Sequence, residues 1–312
     1  MPKPRNSDYR TSPLSARKRR TPEQMAELLE AILDIVVAED GPITIRHLFY
    51  GLVGLSVIEK TERAYKTLCG HLSHWRKNDD IPWAVFADST RWHIIPPMFN
   101  SLEDALKRTR QSYRRDLWAS QDYYCEVWVE KDAIAGVIAD VTRSFGVPLF
   151  VCRGFASLSS MYSASLTFKE VQDKGKAVMI YHLGDYDPSG HAAADAIEQT
   201  FENDFDCAVN FERIAILPEH IEQFDLPTRP VKPGDSRARS WGETQCVELD
   251  SMPPAELRGL VEDAITSQID QRQWREAQRV EALEKETLAN LTVEILTKGQ
   301  KRPHKNGKRQ HN

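Results

Sequence analysis

An α/β protein with an N-terminal helical domain is what this sequence predicts, on its length and on two kinds of periodicity. The chain has 312 residues, which at about 150 per domain suggests two. Hydrophobic residues make up 41%, enough for each domain to bury its own core. Apolar residues recur at helical spacing through the first third of the chain. From Cys125 onward, short apolar runs alternate with helical stretches, the pattern of a mainly parallel sheet with helical crossovers.

In the first domain, residues 21–98, Thr21 and Gln24 form a capping box with Pro22 at the first helical position. Met25, Leu28, Leu29, Ile32, Leu33 and Val36 then mark a helix that ends near Gly41 and Pro42. Thr44 opens a second short helix, and Glu59 begins a third with basic residues along one side. Ile81 to Phe86 and Thr90 to Ile95 alternate as a short hairpin should. Three helices and a hairpin are the element order of a winged helix, whose last helix enters a DNA groove. Lys60, Arg63, Lys66, Arg76 and Lys77 would then contact phosphates; the alternative is an ordinary solvated helix face.

Residues 99–122 connect the domains, with a helix read over 99–120 that is rich in Arg108, Arg110, Arg114 and Arg115. The second domain, residues 123–296, begins with the strand CEVWVE, the helix DAIAGVIADVTRSF and the strand VPLFVCRG. A helix from about Ser157 to Asp173, the strand KAVMIYHLGD and a helix after SGH follow, then the strand FERIAIL. Runs such as AVMIYHL are apolar on both faces, as strands buried in a parallel sheet are. A Pro-rich loop from Pro218 to Pro233 leads to a charged helical extension from Pro254 to about Leu296.

Charge separates the ends from the body. Residues 1–20 carry seven Lys or Arg against Asp8, and residues 298–312 carry six and no acid, so each arm is +6 and the remainder is −17 out of a net −5. A basic N-terminal arm and a basic tail from 297 to 312 favour a polyanionic partner, here DNA, or serve simply as solubilising ends. No stretch reaches the roughly 18 unbroken apolar residues of a membrane helix. The basic N-terminus has no apolar run behind it, so a secretory signal is not expected. Five cysteines without a CxxC pair fit a reducing cytoplasm better than disulfides or structural zinc. The expected location is cytoplasmic and DNA-associated.

The chemistry concentrates in the second domain. Glu130 ends one predicted strand, and Asp185-Tyr186-Asp187-Pro188-Ser189-Gly190 follows another, with Ser189 read as the cap of the next helix. Ligands bind at the carboxyl edge of open α/β sheets. Three carboxylates there repel one another without a cation, and such hard oxygen donors suit Mg²⁺. D-x-D alone more often builds a turn; a strand-terminal Glu in a βαβ context strengthens the signal. Lys131, Arg153 and His191 sit beside this site as phosphate contacts or supporting groups.

That combination resembles the Toprim domain of topoisomerases, primases and some nucleases. The segment Thr44-Ile45-Arg46-His47-Leu48-Phe49-Tyr50 is similar to the R-x-x-[YF]-Y element of the topoisomerase VI A subunit and the meiotic double-strand-break protein. The resemblance spans about residues 22–225, and by length the chain is nearest the compact Mini-A relatives. It implies a winged helix followed by a Toprim domain, with Tyr50 as nucleophile and Mg²⁺ on Glu130, Asp185 and Asp187. It further implies a homodimer in which Tyr50 of one chain meets the metal of the other and lies far from Glu130 within its own. Arg46, four residues before Tyr50, would stabilise charge on the phosphate. His47 stands where the family often has an acid, and the chain carries no ATP-binding segment, so an ATPase would be a separate B-type subunit. The function expected is Mg²⁺-dependent DNA cleavage through a phosphotyrosyl link. The alternatives are a Toprim nuclease hydrolysing DNA or RNA without a covalent step, with Tyr50 structural, and a DNA-binding module with an inert acidic site.

Overall fold

The computed structural model describes residues 20–39, 42–86, 96, 98–231 and 237–300. Most of both basic arms and the second half of the expected hairpin, Thr90 to Ile95, lie outside these residues. Three helices open the chain: α1 Pro22–Ala38, α2 Ile45–Gly54 and α3 Glu62–Lys77. Thr21 and Gln24 form the expected capping box, and Thr44 caps α2 by accepting from the His47 amide. The third helix begins at Glu62 because Thr61 caps it through the Ala64 amide. Leu28, Ile32, Leu48, Leu52, Leu68 and Leu72 close these helices around one core.

Trp83–Val85 forms a 3₁₀ turn where a first hairpin strand was expected, and Phe86 makes a single parallel bridge to Ile43. The Arg76 guanidinium stacks over the Trp83 ring at 4.3 Å and faces Phe86 at 5.4 Å, drawing the segment back onto α3. The connecting helix is also shorter than its sequence suggests. Helix α4 spans Leu102–Ser112, and Tyr113 is already extended. Tyr113 and Arg115 bond Glu284 and the Arg115 amide donates to Glu281, so tertiary contacts take the chain out of the helix before Arg114.

Strands β1 Tyr123–Val129, β2 Leu149–Val151, β3 Ala177–Leu183 and β4 Asn210–Ala215 form a parallel four-stranded sheet in the order β2-β1-β3-β4. Helices α5 Asp132–Phe145, α6 Leu158–Gln172 and α7 Pro188–Asn203 make the crossovers. Gly146 stops α5 in the left-handed region at φ 67°, which favours glycine. Alternation sorts the strand residues between two cores: Val127, Val129, Tyr181 and Leu183 pack with α5, while Trp128, Val178 and Ile180 pack with Phe168 of α6 and Phe201 of α7.

The remaining elements are α8 Pro218–Gln223, β5 Arg229–Pro230, α9 Ala238–Trp241, β6 Gln245–Cys246, α10 Pro254–Ser267 and α11 Gln271–Gln300. Pro218, expected to open a loop, instead starts α8, where a missing amide costs nothing. The C-terminal section is integral to the sheet domain: Leu257, Val261 and Ile265 of α10 complete the core on the α5 side. An antiparallel bridge between Tyr186 and Val247 brings residues 247–251 back to the end of β3. No helix among the described residues is long and apolar enough to cross a membrane.

A charged cleft at the carboxyl edge of the sheet

Strands β1 and β3 are neighbours in register, so the residues that leave their carboxyl ends meet. The Glu130 amide donates to Leu183 O at 2.9 Å, and Glu130 Oε2 accepts from the Asp185 amide at 2.9 Å. Asp185 Oδ1 accepts from the Leu249 amide at 2.8 Å and pairs with Lys131 Nζ at 2.8 Å. Asp187 Oδ1 caps α7 by accepting from the Gly190 amide at 2.8 Å, and its Oδ2 pairs with Arg229 at 3.0 Å. The helix cap is therefore Asp187 and not Ser189, because Pro188 takes the first helical position. Position 190 must be glycine, since a Cβ there would come within 2.4 Å of Asp185 O.

Arg213, on β4, holds this turn from below. Its guanidinium donates to Gly184 O at 2.8 Å, Gly190 O at 3.3 Å and Asp185 O. Burial lowers it to about 10, opposed by the charges of Glu130, Asp185 and Asp187. The carboxyls of Glu130 and Asp185 are pushed above their usual range, first by burial and then by the nearby acids. Burial alone would lower Lys131, but Asp185 and Asp250 outweigh it and keep the ammonium charged. Asp250, 3% exposed, accepts from Lys131 at 2.9 Å, while its Oδ1 has no hydrogen-bond partner.

Crowded oxygen donors with raised carboxyls are chemically suited to a cation. In this arrangement that demand is met by Lys131 and Arg229, and among the described residues no three His, Cys, Asp or Glu side chains are grouped to hold a metal ion.

Helix α2 faces the same edge across a cleft of about 570 Å³ lined by Arg46, Arg76, Lys131, Asp185, Asp187, Arg229, Glu248 and Asp250. Arg46 Nη1 lies 3.5 Å from Glu248 Oε2, and Arg229 Nε lies 3.7 Å from Glu248 Oε1. Tyr50 is 7% exposed, packs edge-on against Phe49 and interacts with both Glu248 and Arg46. Burial, then the Glu248 charge, push its phenol well above the usual range. Three contacts, by way of Glu248 and Arg229, thus link Tyr50 to Asp187 within one chain. Within its own chain Tyr50 meets Glu248, because α2 packs directly on the Leu249–Ser251 turn.

The remaining sequence-derived candidates divide. Lys60 Nζ donates to Pro227 O at 3.1 Å and Thr228 O at 3.4 Å and lies 5.4 Å from the Tyr50 ring, so it stitches the two units together. Lys66 pairs with Glu62 at 3.6 Å on an exposed face, and Arg63 and Lys77 are also exposed on α3. Arg153, in the left-handed region at φ 54°, pairs with Asp132 at 3.0 Å and is outside the cleft lining. His191 packs edge-on between Tyr186 and Trp241, and burial, then Arg213, lower it to about 4 against the opposing charge of Asp187. Sequence reasoning missed Arg213, Arg229, Glu248 and Asp250.

No protein-family model matches this chain, and no curated protein matches it significantly.

Proposed function

We propose that the chain is a DNA-cleaving enzyme of the type IIB topoisomerase A class, with a winged-helix unit joined to a Toprim domain. The observation that carries this reading is convergence. Arg46 of α2 and Asp185 and Asp187 come from distant segments and line one cleft, with Tyr50 joined to it through Arg46 and Glu248 and Glu130 through the Asp185 amide. In the reaction, the Tyr50 phenol oxygen would displace the 3′ oxygen of a phosphodiester; the phosphorus passes to tyrosine and the phenol proton ends on the released hydroxyl. Arg46 and Arg229 would neutralise the phosphate oxygens. Mg²⁺ would be held by Glu130, Asp185 and Asp187 in place of the present Lys131 and Arg229 contacts, and would supply further positive charge at the phosphate. A duplex break would use two chains related by a two-fold axis, each cutting one strand. Strand passage would need a separate ATPase subunit. The setting of the reaction would be cytoplasmic DNA.

A hydrolytic Toprim nuclease is the second reading, and the burial of the Tyr50 phenol favours it. End-labelled DNA incubated with the protein and Mg²⁺, then denatured, separates the two. Covalent cleavage leaves label on the wild-type protein and none on Tyr50→Phe. Cleavage by Tyr50→Phe at the wild-type rate would remove the covalent step. If each chain carries a complete site, a mixture of Tyr50→Phe and Glu130→Gln stays inactive, whereas a site shared between chains would restore nicking.

A further inference from the structure

The cleft's anions are not equally well held. Lys131 meets Asp185 at 2.8 Å and Arg229 meets Asp187 at 3.0 Å, both close to the distances of charge-assisted hydrogen bonds. Glu248 is different. Its two guanidinium neighbours stand at 3.5 Å and 3.7 Å, its side chain is 24% exposed, and Lys60 also feels its charge. One loosely seated carboxylate therefore sits among two guanidinium forks, the Lys60 ammonium and the Tyr50 phenol. Guanidinium forks bind phosphate in the same two-oxygen geometry as carboxylate.

We propose that Arg46, Arg229 and Lys60 form a phosphate-binding site for a nucleic-acid backbone, and that Glu248 fills it as an internal stand-in anion that the substrate displaces. The inference rests on the reading of the chain as a DNA-cleaving enzyme and adds how that site is kept closed. Glu248 comes from the loop after β6, on the section of the chain that matched no motif, while Arg46 and Lys60 come from the helical unit and Arg229 from β5. Only the packing of the two units makes the site. In the closed state Glu248 also helps keep the Tyr50 phenol protonated, so filling the site with this carboxylate and silencing the nucleophile are the same event.

The test reads binding alone, in Mg²⁺-free buffer, with a fluorescent DNA duplex and with inorganic phosphate as probes. Glu248→Gln removes the charge and keeps the shape. It should bind the duplex up to about fivefold more tightly than wild type, the scale of one lost ion-pair competitor. Inorganic phosphate should raise its melting temperature more than that of wild type. Adding Arg46→Gln to Glu248→Gln should cancel both gains. Wild-type affinity in a folded Glu248→Gln, or a gain that survives Arg46→Gln, overturns the proposal. If Glu248→Gln does not fold, Glu248→Asp, with its charge withdrawn on a shorter arm, must show a smaller gain in the same direction or the proposal fails. A gain together with no DNA cleavage by the wild type in a parallel assay containing Mg²⁺ keeps the phosphate site and removes the Tyr50 chemistry. Cleavage without a gain does the reverse.

Discussion

Glu126 and Glu130 sit one helical turn's worth of sequence apart on and just beyond β1, both largely buried, yet their surroundings are opposite. Glu126 accepts from Tyr124 Oη at 2.7 Å and Trp128 Nε1 at 2.7 Å, both neutral donors from its own strand, and it faces the apolar core under α6 and α7. Glu130 lies past the strand end, where Asp185 and Asp187 raise its carboxyl and Lys131 opposes them. Burial is the largest cause of a raised carboxyl at both positions. A buried acid is therefore not in itself a functional sign. What distinguishes Glu130 is its bond to the amide of Asp185, which ties it to the charged cleft that Asp185 lines.

Three experiments break or sharpen that contrast. The largest effect is expected from Arg213→Met, which strips the guanidinium from three carbonyls under the Asp185–Asp187 turn while leaving the Glu126 side intact. Buried acceptors left unpaired cost about 1–3 kcal/mol each, so chemical denaturation should show a loss on the order of 3 kcal/mol and cleavage should disappear. A stability within error of wild type would mean the turn holds itself.

Next come the paired substitutions Glu126→Gln and Glu130→Gln. A carboxyl raised in the folded state contributes stability that is present at low pH and lost as pH rises above the unfolded value near 4.3. Each Gln variant should therefore be more stable than wild type at about pH 8 and gain nothing at about pH 4. Cleavage should vanish in Glu130→Gln and persist in Glu126→Gln. Equal activity in both would erase the distinction between the two glutamates.

The smallest effect is expected at His182, buried beneath the cleft with Nδ1 unpartnered and lowered to about 3 by burial and then by Arg213. The unfolded chain protonates this ring below about pH 6.5 while the folded chain does not, so it costs stability as pH falls. His182→Phe should remove up to about 1.4 kcal/mol of that loss per pH unit below about pH 6.5. Parallel wild-type and variant curves between about pH 6.5 and about pH 5 would show that the ring is not neutral in the fold.

Local elements were legible where a local rule decides them. The capping box of Thr21 and Gln24 and the whole span of α5 rest on contacts within a few residues, and β1 and β3 show as short apolar runs although their ladders join distant residues. Some misreadings had a neighbouring cause, as where Pro188 makes Asp187 rather than Ser189 the cap of α7, and others fell where a side chain from outside the segment intervened. Arg76 rolls Trp83 and Phe86 into a turn, and Glu281 and Glu284 pull Tyr113 and Arg115 out of α4.

By itself the sequence determined an α/β protein with a helical N-terminal part, and it singled out Glu130, Asp185 and Asp187 because strand ends and turns are written in short-range pattern. Only the tertiary structure decided what those carboxylates touch. Glu248 and Asp250 reach them through the Tyr186–Val247 bridge, Arg229 through the small β5–β6 pair, and Arg46 through the packing of α2 on the Leu249–Ser251 turn. The ion pairs that result, Arg46 with Glu248, Arg229 with Asp187 and Lys131 with Asp250, each join residues more than 40 positions apart. Their side chains follow no periodicity of their own, since charge pairing across a cleft depends on distance in space and leaves no mark at a fixed spacing in the chain.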